Sequence, residues 1–331
     1  MRALISHRPG PPESLVLEDV PEAEPGPRDV RIRVAACGVN FPDLLIVQDK
    51  YQIKPPRPFS PGAEVAGIVE RVGAEVSTVA PGDRVMAVCS WGGMAEKLVV
   101  PAARCTHVPD GMPFDAAAAL QITYGTAYYG LKYCGRLIPG ERLLVLGAAG
   151  GVGIAAVEIG KALGARVIAA VSSEAKATIT RNAGADSVLL YPRGPFDETT
   201  RGALASTFKA ALNGAVNVVL DPVGGEYTEA ALRSIAPGGR LVVVGFAAGI
   251  ASIKMNLVLL KGAQIVGAPW GAVVEKDPAA FKETMDALFD LYAKGTIRPL
   301  ISRRLPLERG AEALQLLQAR EAVGKIVVVP G

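Results

Sequence analysis

The 331 residues, half of them hydrophobic, a fifth charged and 5% aromatic, exceed what one core of about 250 to 300 residues organises and exclude a disordered or fibrous chain. A net charge of +3, with 35 basic residues interleaved among 32 acidic ones, presents no basic face for nucleic acid or anionic lipid and leaves room for a small anionic ligand. Four widely spaced cysteines and two histidines exclude a zinc ribbon and a Cys-x-x-Cys redox pair, so no metal is expected.

Met1-Arg2-Ala3-Leu4-Ile5-Ser6-His7-Arg8-Pro9 places charge and proline where a signal peptide needs an apolar stretch. The uncharged run between Arg142 and Glu158 holds glycines and falls short of the roughly 18 apolar residues of a membrane span. A cytoplasmic protein is expected. Val30-Arg31-Ile32-Arg33-Val34 alternates with period 2, and the stretches 64–73 and 83–88 are short apolar runs bounded by turns; together they predict a compact, barrel-like β domain up to about residue 118. From about 119 to 268 strand and helix alternate, with strands over 142–146, 166–171, 187–190, 216–220, 240–244 and 264–266. Right-handed crossovers then give a doubly wound parallel sheet. Helices over 278–294 and 311–318 and a last strand over 325–329 are expected to rejoin the first domain, with the active cleft between the domains.

The strand ending at Leu146 runs into Gly147-Ala148-Ala149-Gly150-Gly151-Val152-Gly153, and 154–163 reads as a helix ended near Gly164. Such a turn lets the backbone approach a pyrophosphate while the helix N-terminus supplies N–H groups and a positive dipole end. A dinucleotide site is predicted; the alternative is a merely tight strand-to-helix turn. An NAD site carries Asp or Glu at the end of the second strand, about 20 residues on. This chain has Val171-Ser172-Ser173-Glu174-Ala175-Lys176 there, two hydroxyls and a lysine suited to a 2′-phosphate, hence NADPH. Two readings compete with it: Glu174 pointing at the ribose, and Ser173 simply capping a helix whose lysine is solvated.

Five runs, Ala36-Cys37-Gly38-Val39-Asn40-Phe41-Pro42-Asp43, Pro61-Gly62-Ala63-Glu64-Val65-Ala66-Gly67-Ile68-Val69, Pro81-Gly82-Asp83-Arg84-Val85, Ala148 to Gly153 and Asp221-Pro222-Val223-Gly224-Gly225, give the chain a resemblance to zinc-free medium-chain dehydrogenase/reductases of the quinone oxidoreductase (ζ-crystallin-like) family. The resemblance spans essentially the whole length. It implies an α/β fold: a GroES-like β-rich catalytic domain over 1–118 and 269–331, and a doubly wound Rossmann NADPH-binding domain over 119–268. Zinc alcohol dehydrogenases of that superfamily place a metal-binding Cys where this chain has Asn40 and a His where it has Ala63. Without those ligands no Lewis acid polarises an alcohol. The function implied is NADPH-dependent reduction of a quinone by hydride or electron transfer; the alternatives are reduction of a 2-enoyl thioester or enone, and a non-catalytic NADPH-binding protein.

Residue by residue, the resemblance implies that Asn40, Asp43 and Tyr51 are catalytic, flanked by Phe41 at the nicotinamide. Read blandly, Asn40 makes a loop hydrogen bond, Asp43 caps the following helix and Tyr51 packs at a domain edge. Leu45 stands where some members have a pocket tyrosine, which points to a more apolar acceptor. The cofactor set implied is Gly150, Gly151, Val152 and Gly153 for the pyrophosphate; Ser172, Ser173, Lys176 and Tyr191 for the 2′-phosphate; and Gly245, Phe246, Pro269, Trp270 and Gly271 for the nicotinamide ribose. Arg320 is implied to reach the phosphates, with Thr126 and Tyr128 as further contacts. The family default is a homodimer joined through the edge strand near 264–267.

Overall fold

The alternation of Val30, Ile32 and Val34, all fully buried, is the inner face of the strand around which the first half of the molecule is built. In a computed structural model describing residues 1–331, the Glu198 side chain apart, the chain forms two units, Met1–Ile122 with Pro299–Gly331, and Thr123–Arg298. Among the described residues no helix is long and apolar enough to cross a membrane.

In the first unit β1 (Arg2–Ile5) pairs with β2 (Val16–Asp19). The central strand, β3 (Asp29–Gly38), is followed by β4 (Glu64–Val72), β5 (Arg84–Val88), β6 (Lys97–Pro101) and β7 (Cys105–His107). Strand β3 pairs antiparallel with β4 along one edge and with β6 along the other. Its register against β4 slips at Arg31/Ile32 and Val34/Ala36, and such bulges bend a long strand so that it serves several neighbours.

The second unit contains β8 (Arg142–Val145), β9 (Arg166–Val171), β10 (Ser187–Leu190), β11 (Val216–Asp221), β12 (Ile235–Val243) and β13 (Gln264–Gly267). They pair in the order β10-β9-β8-β11-β12-β13, parallel throughout. The winding direction reverses between β8 and β11, and the carboxyl ends of those strands therefore flank the crevice where doubly wound sheets bind ligands. All six expected strands are present. Strand β12 begins earlier than expected: Ile235 pairs with Val216, and the register then shifts before Arg240 meets Val218, so the Pro237-Gly238-Gly239 segment is an irregularity inside the strand.

The segment 269–298, expected with the first domain, lies in the second unit. The cause is aromatic packing: Trp270 stacks with Tyr129 at 5.9 Å and Phe281 at 5.7 Å between ring centroids, holding the helix Pro278–Ala293 against the helix Thr123–Tyr129. The chain rejoins the first unit with β14 (Ile301–Pro306) and β15 (Lys325–Val329). Strand β15 pairs antiparallel with the end of β3, Val327 opposite Gly38 and Val328 opposite Cys37, and parallel with β14. That pairing sets Lys325 beside the loop leaving β3.

Candidate active site

In the second unit β8 turns through Gly147 directly into the helix Gly151–Ala162, whose N-cap is Gly150. The helix starts three residues earlier than expected, so Gly151, Val152 and Gly153 form its first turn. Ile154 donates to the Gly150 carbonyl at 2.8 Å; N–H groups ahead of it lie in the turn where a helix has no internal acceptors, and the macrodipole adds partial positive charge there. A Cβ on Gly153 would lie 2.2 Å from the Gly147 carbonyl oxygen and 2.6 Å from Ala148 Cα, which is why no larger residue fits.

At the carboxyl end of β9, Ser172 accepts from Arg193 Nε at 3.3 Å. Ser173 caps the helix Glu174–Asn182, accepting from the Lys176 N–H at 3.3 Å. Glu174 is exposed and pairs along its own helix with Arg181 at 3.7 Å. The strand end is thus lined by hydroxyls, Lys176 and Arg193. Arg193 is not among the residues expected here; its signal in the sequence is a basic residue just after a predicted strand end. Tyr191 lies between Phe208 and Tyr227 at 6.3 and 4.8 Å, and its phenol is pushed up to about 12 by burial first and by neighbouring Tyr227 next.

Beside this turn, Asp221 ends β11 and accepts from the N–H groups of Val223 and Gly224, both at 2.8 Å, and from the Thr228 hydroxyl at 2.6 Å. The Val244 N–H in turn donates to the Asp221 carbonyl at 2.9 Å, which sets Gly245 and the exposed Phe246 next to that loop. Pro269 caps the helix Trp270–Lys276, which includes Gly271. The Trp270 side chain is buried and packs against Tyr129 and Phe281. Thr126 is buried in the helix Thr123–Tyr129, and Tyr128 meets Tyr133 edge-on at 6.3 Å.

In the first unit the loop after β3 carries a buried polar cluster. Glu64, fully buried at the start of β4, accepts at Oε1 from the Ile122 N–H at 2.8 Å. Its Oε2 accepts from Lys325 Nζ at 2.9 Å and Asn40 Nδ2 at 3.1 Å. Asn40 Nδ2 also donates to the Gly38 carbonyl at 3.0 Å, and Oδ1 accepts from Lys325 Nζ at 2.7 Å. Gly38, Glu64 and Lys325 therefore all engage the Asn40 amide. Gly38 is required: a Cβ would sit 1.8 Å from the Ala118 carbonyl oxygen.

Asp43, third residue of the helix Phe41–Val47, accepts from the Asn40 N–H at 2.7 Å through Oδ2. Its Oδ1 is buried without a hydrogen-bond partner. Burial pushes its carboxyl up to about 7, against the opposing pull of the Asn40 N–H and Lys325. Half-buried Tyr51 is likewise raised, by burial and then by Asp43. Phe41 packs on the first unit's core. Arg320 follows the helix Gly310–Gln318 with a φ of 56° and is exposed.

A zinc ion does not suit this donor set. Lys325 donates to Asn40 Oδ1 and Glu64 Oε2 and the Ile122 N–H to Glu64 Oε1, Ala63 offers only a methyl group, and burial raises the thiols of Cys37 and Cys89, disfavouring the thiolate a metal needs. Among the described residues no group of three or more His, Cys, Asp or Glu is placed to hold a metal.

Two family models match the chain: the alcohol dehydrogenase GroES-like domain over residues 26–110 and zinc-binding dehydrogenase over residues 151–290. Quinone oxidoreductase-like protein 2 homolog of Nematostella vectensis is 38% identical over 99% of this chain and 88% of its own. Quinone oxidoreductase of Pseudomonas aeruginosa is 36% identical over 97% of both chains. The crystal structure of Escherichia coli quinone oxidoreductase complexed with NADPH superimposes with a TM-score of 0.89 at 28% identity, covering all of both chains. With a GroES-like unit and a Rossmann unit in place and these relatives matched along their lengths, the chain belongs to the quinone oxidoreductase family of the medium-chain dehydrogenase/reductases.

Proposed function

We propose that this oxidoreductase reduces a quinone with NADPH and uses no metal. The observation that supports the reading is the buried Lys325 ammonium, which donates to Asn40 Oδ1 and Glu64 Oε2. A donor set engaged in this way does not suit zinc, and chemistry that has no Lewis acid to call on suits an acceptor that is already electrophilic. The names of the relatives support the acceptor class, and the NADPH complex of the Escherichia coli protein supports the cofactor.

When bound, NADPH supplies the hydride from C4 of its nicotinamide. The first-turn N–H groups of Gly151, Val152 and Gly153 hold the pyrophosphate, with Gly150 leaving room for its approach. Ser172, Ser173, Lys176, Tyr191 and Arg193 take the 2′-phosphate, and Arg320 adds a phosphate contact. Gly245, Phe246, Pro269, Trp270 and Gly271 border the nicotinamide ribose, Trp270 through its backbone, with Phe41, Thr126 and Tyr128 completing the cofactor set. Tyr51, a phenol and so protonated at neutral pH, donates to the acceptor oxygen as negative charge develops there, and Asn40 and Asp43 shape the pocket wall. The protein acts in the cytoplasm as a homodimer joined through β13.

Steady-state NADPH oxidation with 1,4-benzoquinone, 9,10-phenanthrenequinone and crotonyl-CoA in parallel tests the acceptor class. Quinones are expected to give the highest kcat/KM. Preference for crotonyl-CoA would make the protein an enoyl reductase, and turnover with none would leave an NADPH-binding protein.

A further inference from the structure

Lys325 belongs to none of the motifs that mark the chain, yet it is one of its most buried charges, 3% exposed. A buried ion pair contributes little net stability, because desolvation offsets most of the attraction. The hydrogen-bond geometry indicates another use. An ammonium is donor-only, while the Gly38 carbonyl and the Glu64 carboxylate are acceptors. Lys325 can therefore face only the oxygen of the Asn40 amide, and Gly38 and Glu64 only its nitrogen. Flipping the amide would set like poles against each other at all three contacts. The Asn40 N–H is tied in turn to Asp43, so fixing Asn40 fixes the first turn of the helix that carries Asp43.

We propose that Lys325 is a positioning residue of the active site: its ammonium locks the Asn40 amide in one orientation and so holds the Asn40–Asp43 turn in its working geometry. The proposal rests on the reading of Asn40 and Asp43 as active-site groups. Around Asn40 and Asp43 the charged or titratable neighbours are Lys325, Glu64, Cys37, Cys89 and Tyr51, and of these only Lys325 is a cation.

Two variants test it, Lys325→Met and the double variant Glu64→Gln/Lys325→Met, which removes both charges. Each is examined by thermal melting, NADPH titration, amide hydrogen exchange of the peptide spanning residues 38–47, and kinetics with 1,4-benzoquinone. Lys325→Met is expected to bind NADPH as the native protein does and to keep its KM for the quinone. Its kcat should fall by about 100-fold, the cost of a catalytic group displaced by about 1 Å, and exchange over 38–47 should accelerate. In the double variant the melting temperature should recover while kcat and exchange protection do not. Recovery of all three would overturn the proposal, because the lysine would then serve only charge balance; so would native kcat and native exchange in Lys325→Met. If the native protein fails to turn over quinones, the quinone reading falls while melting and exchange still decide the role of Lys325.

Discussion

Asp43 shows how one side chain's surroundings become a measurable property of the molecule. Its carboxyl titrates near 7 in the folded protein against 3.8 ordinarily, chiefly because it is buried. Between those values the unfolded chain gives up its proton first, so the native state binds more protons and stability falls as pH rises, levelling off above the folded value. For a single fully buried group the window is worth about 4 kcal/mol. Asp43→Asn should remove most of that slope, seen as urea midpoints that differ less between about pH 5 and about pH 8 than in the native protein; an unchanged slope would assign it to other groups. At the other site, Lys176→Ala should weaken NADPH by roughly 1.5 to 3 kcal/mol, the worth of a charge-assisted contact, and NADH hardly at all. Equal weakening of both, by calorimetric titration, would dismiss the 2′-phosphate role. That Ser172, Ser173 and Lys176 directly follow a strand was legible, because the apolar run before them ends at Val171. The Lys325 contacts were not, since 285 and 261 residues separate Lys325 from Asn40 and Glu64 and nothing local marks the approach.

Elements were legible where side-chain periodicity is strong. The parallel strands of the second unit read as apolar runs because both faces are covered, whereas β14, Ile-Ser-Arg-Arg-Leu-Pro, carries no pattern and forms only because β15 lies alongside it. The helix Pro278–Ala293 was legible as a helix, but its amphipathic face did not say which core it joins; Trp270, Tyr129 and Phe281 decided that. Strand β13 ends the six-stranded sheet, leaving Ile265 partly exposed near the exposed Leu259 and Leu260. An uncovered apolar edge of this kind favours pairing with a second copy. Ile265→Lys should therefore shift the protein from dimer to monomer in sedimentation velocity; a native protein that sediments as a monomer would contradict the dimer.

At the scale of the whole molecule, two units with separate cores divide the work: the second offers a cradle for a dinucleotide, and the first a buried polar cluster organised around an ammonium. The glycine turn was legible as a strand-to-helix turn because its residues are adjacent in sequence. What occupies the centre of the first unit's cluster was hidden, being assembled by strand pairing across the chain. Under the proposed function this cluster supports NADPH oxidation without a metal. The most direct test of that function is a stopped-flow single turnover of NADPH with 1,4-benzoquinone, before and after exhaustive dialysis against a chelator. Loss of NADPH absorbance at the same rate in both samples is expected, with no stoichiometric zinc by elemental analysis. Turnover that disappears on chelation and returns with added zinc would contradict it.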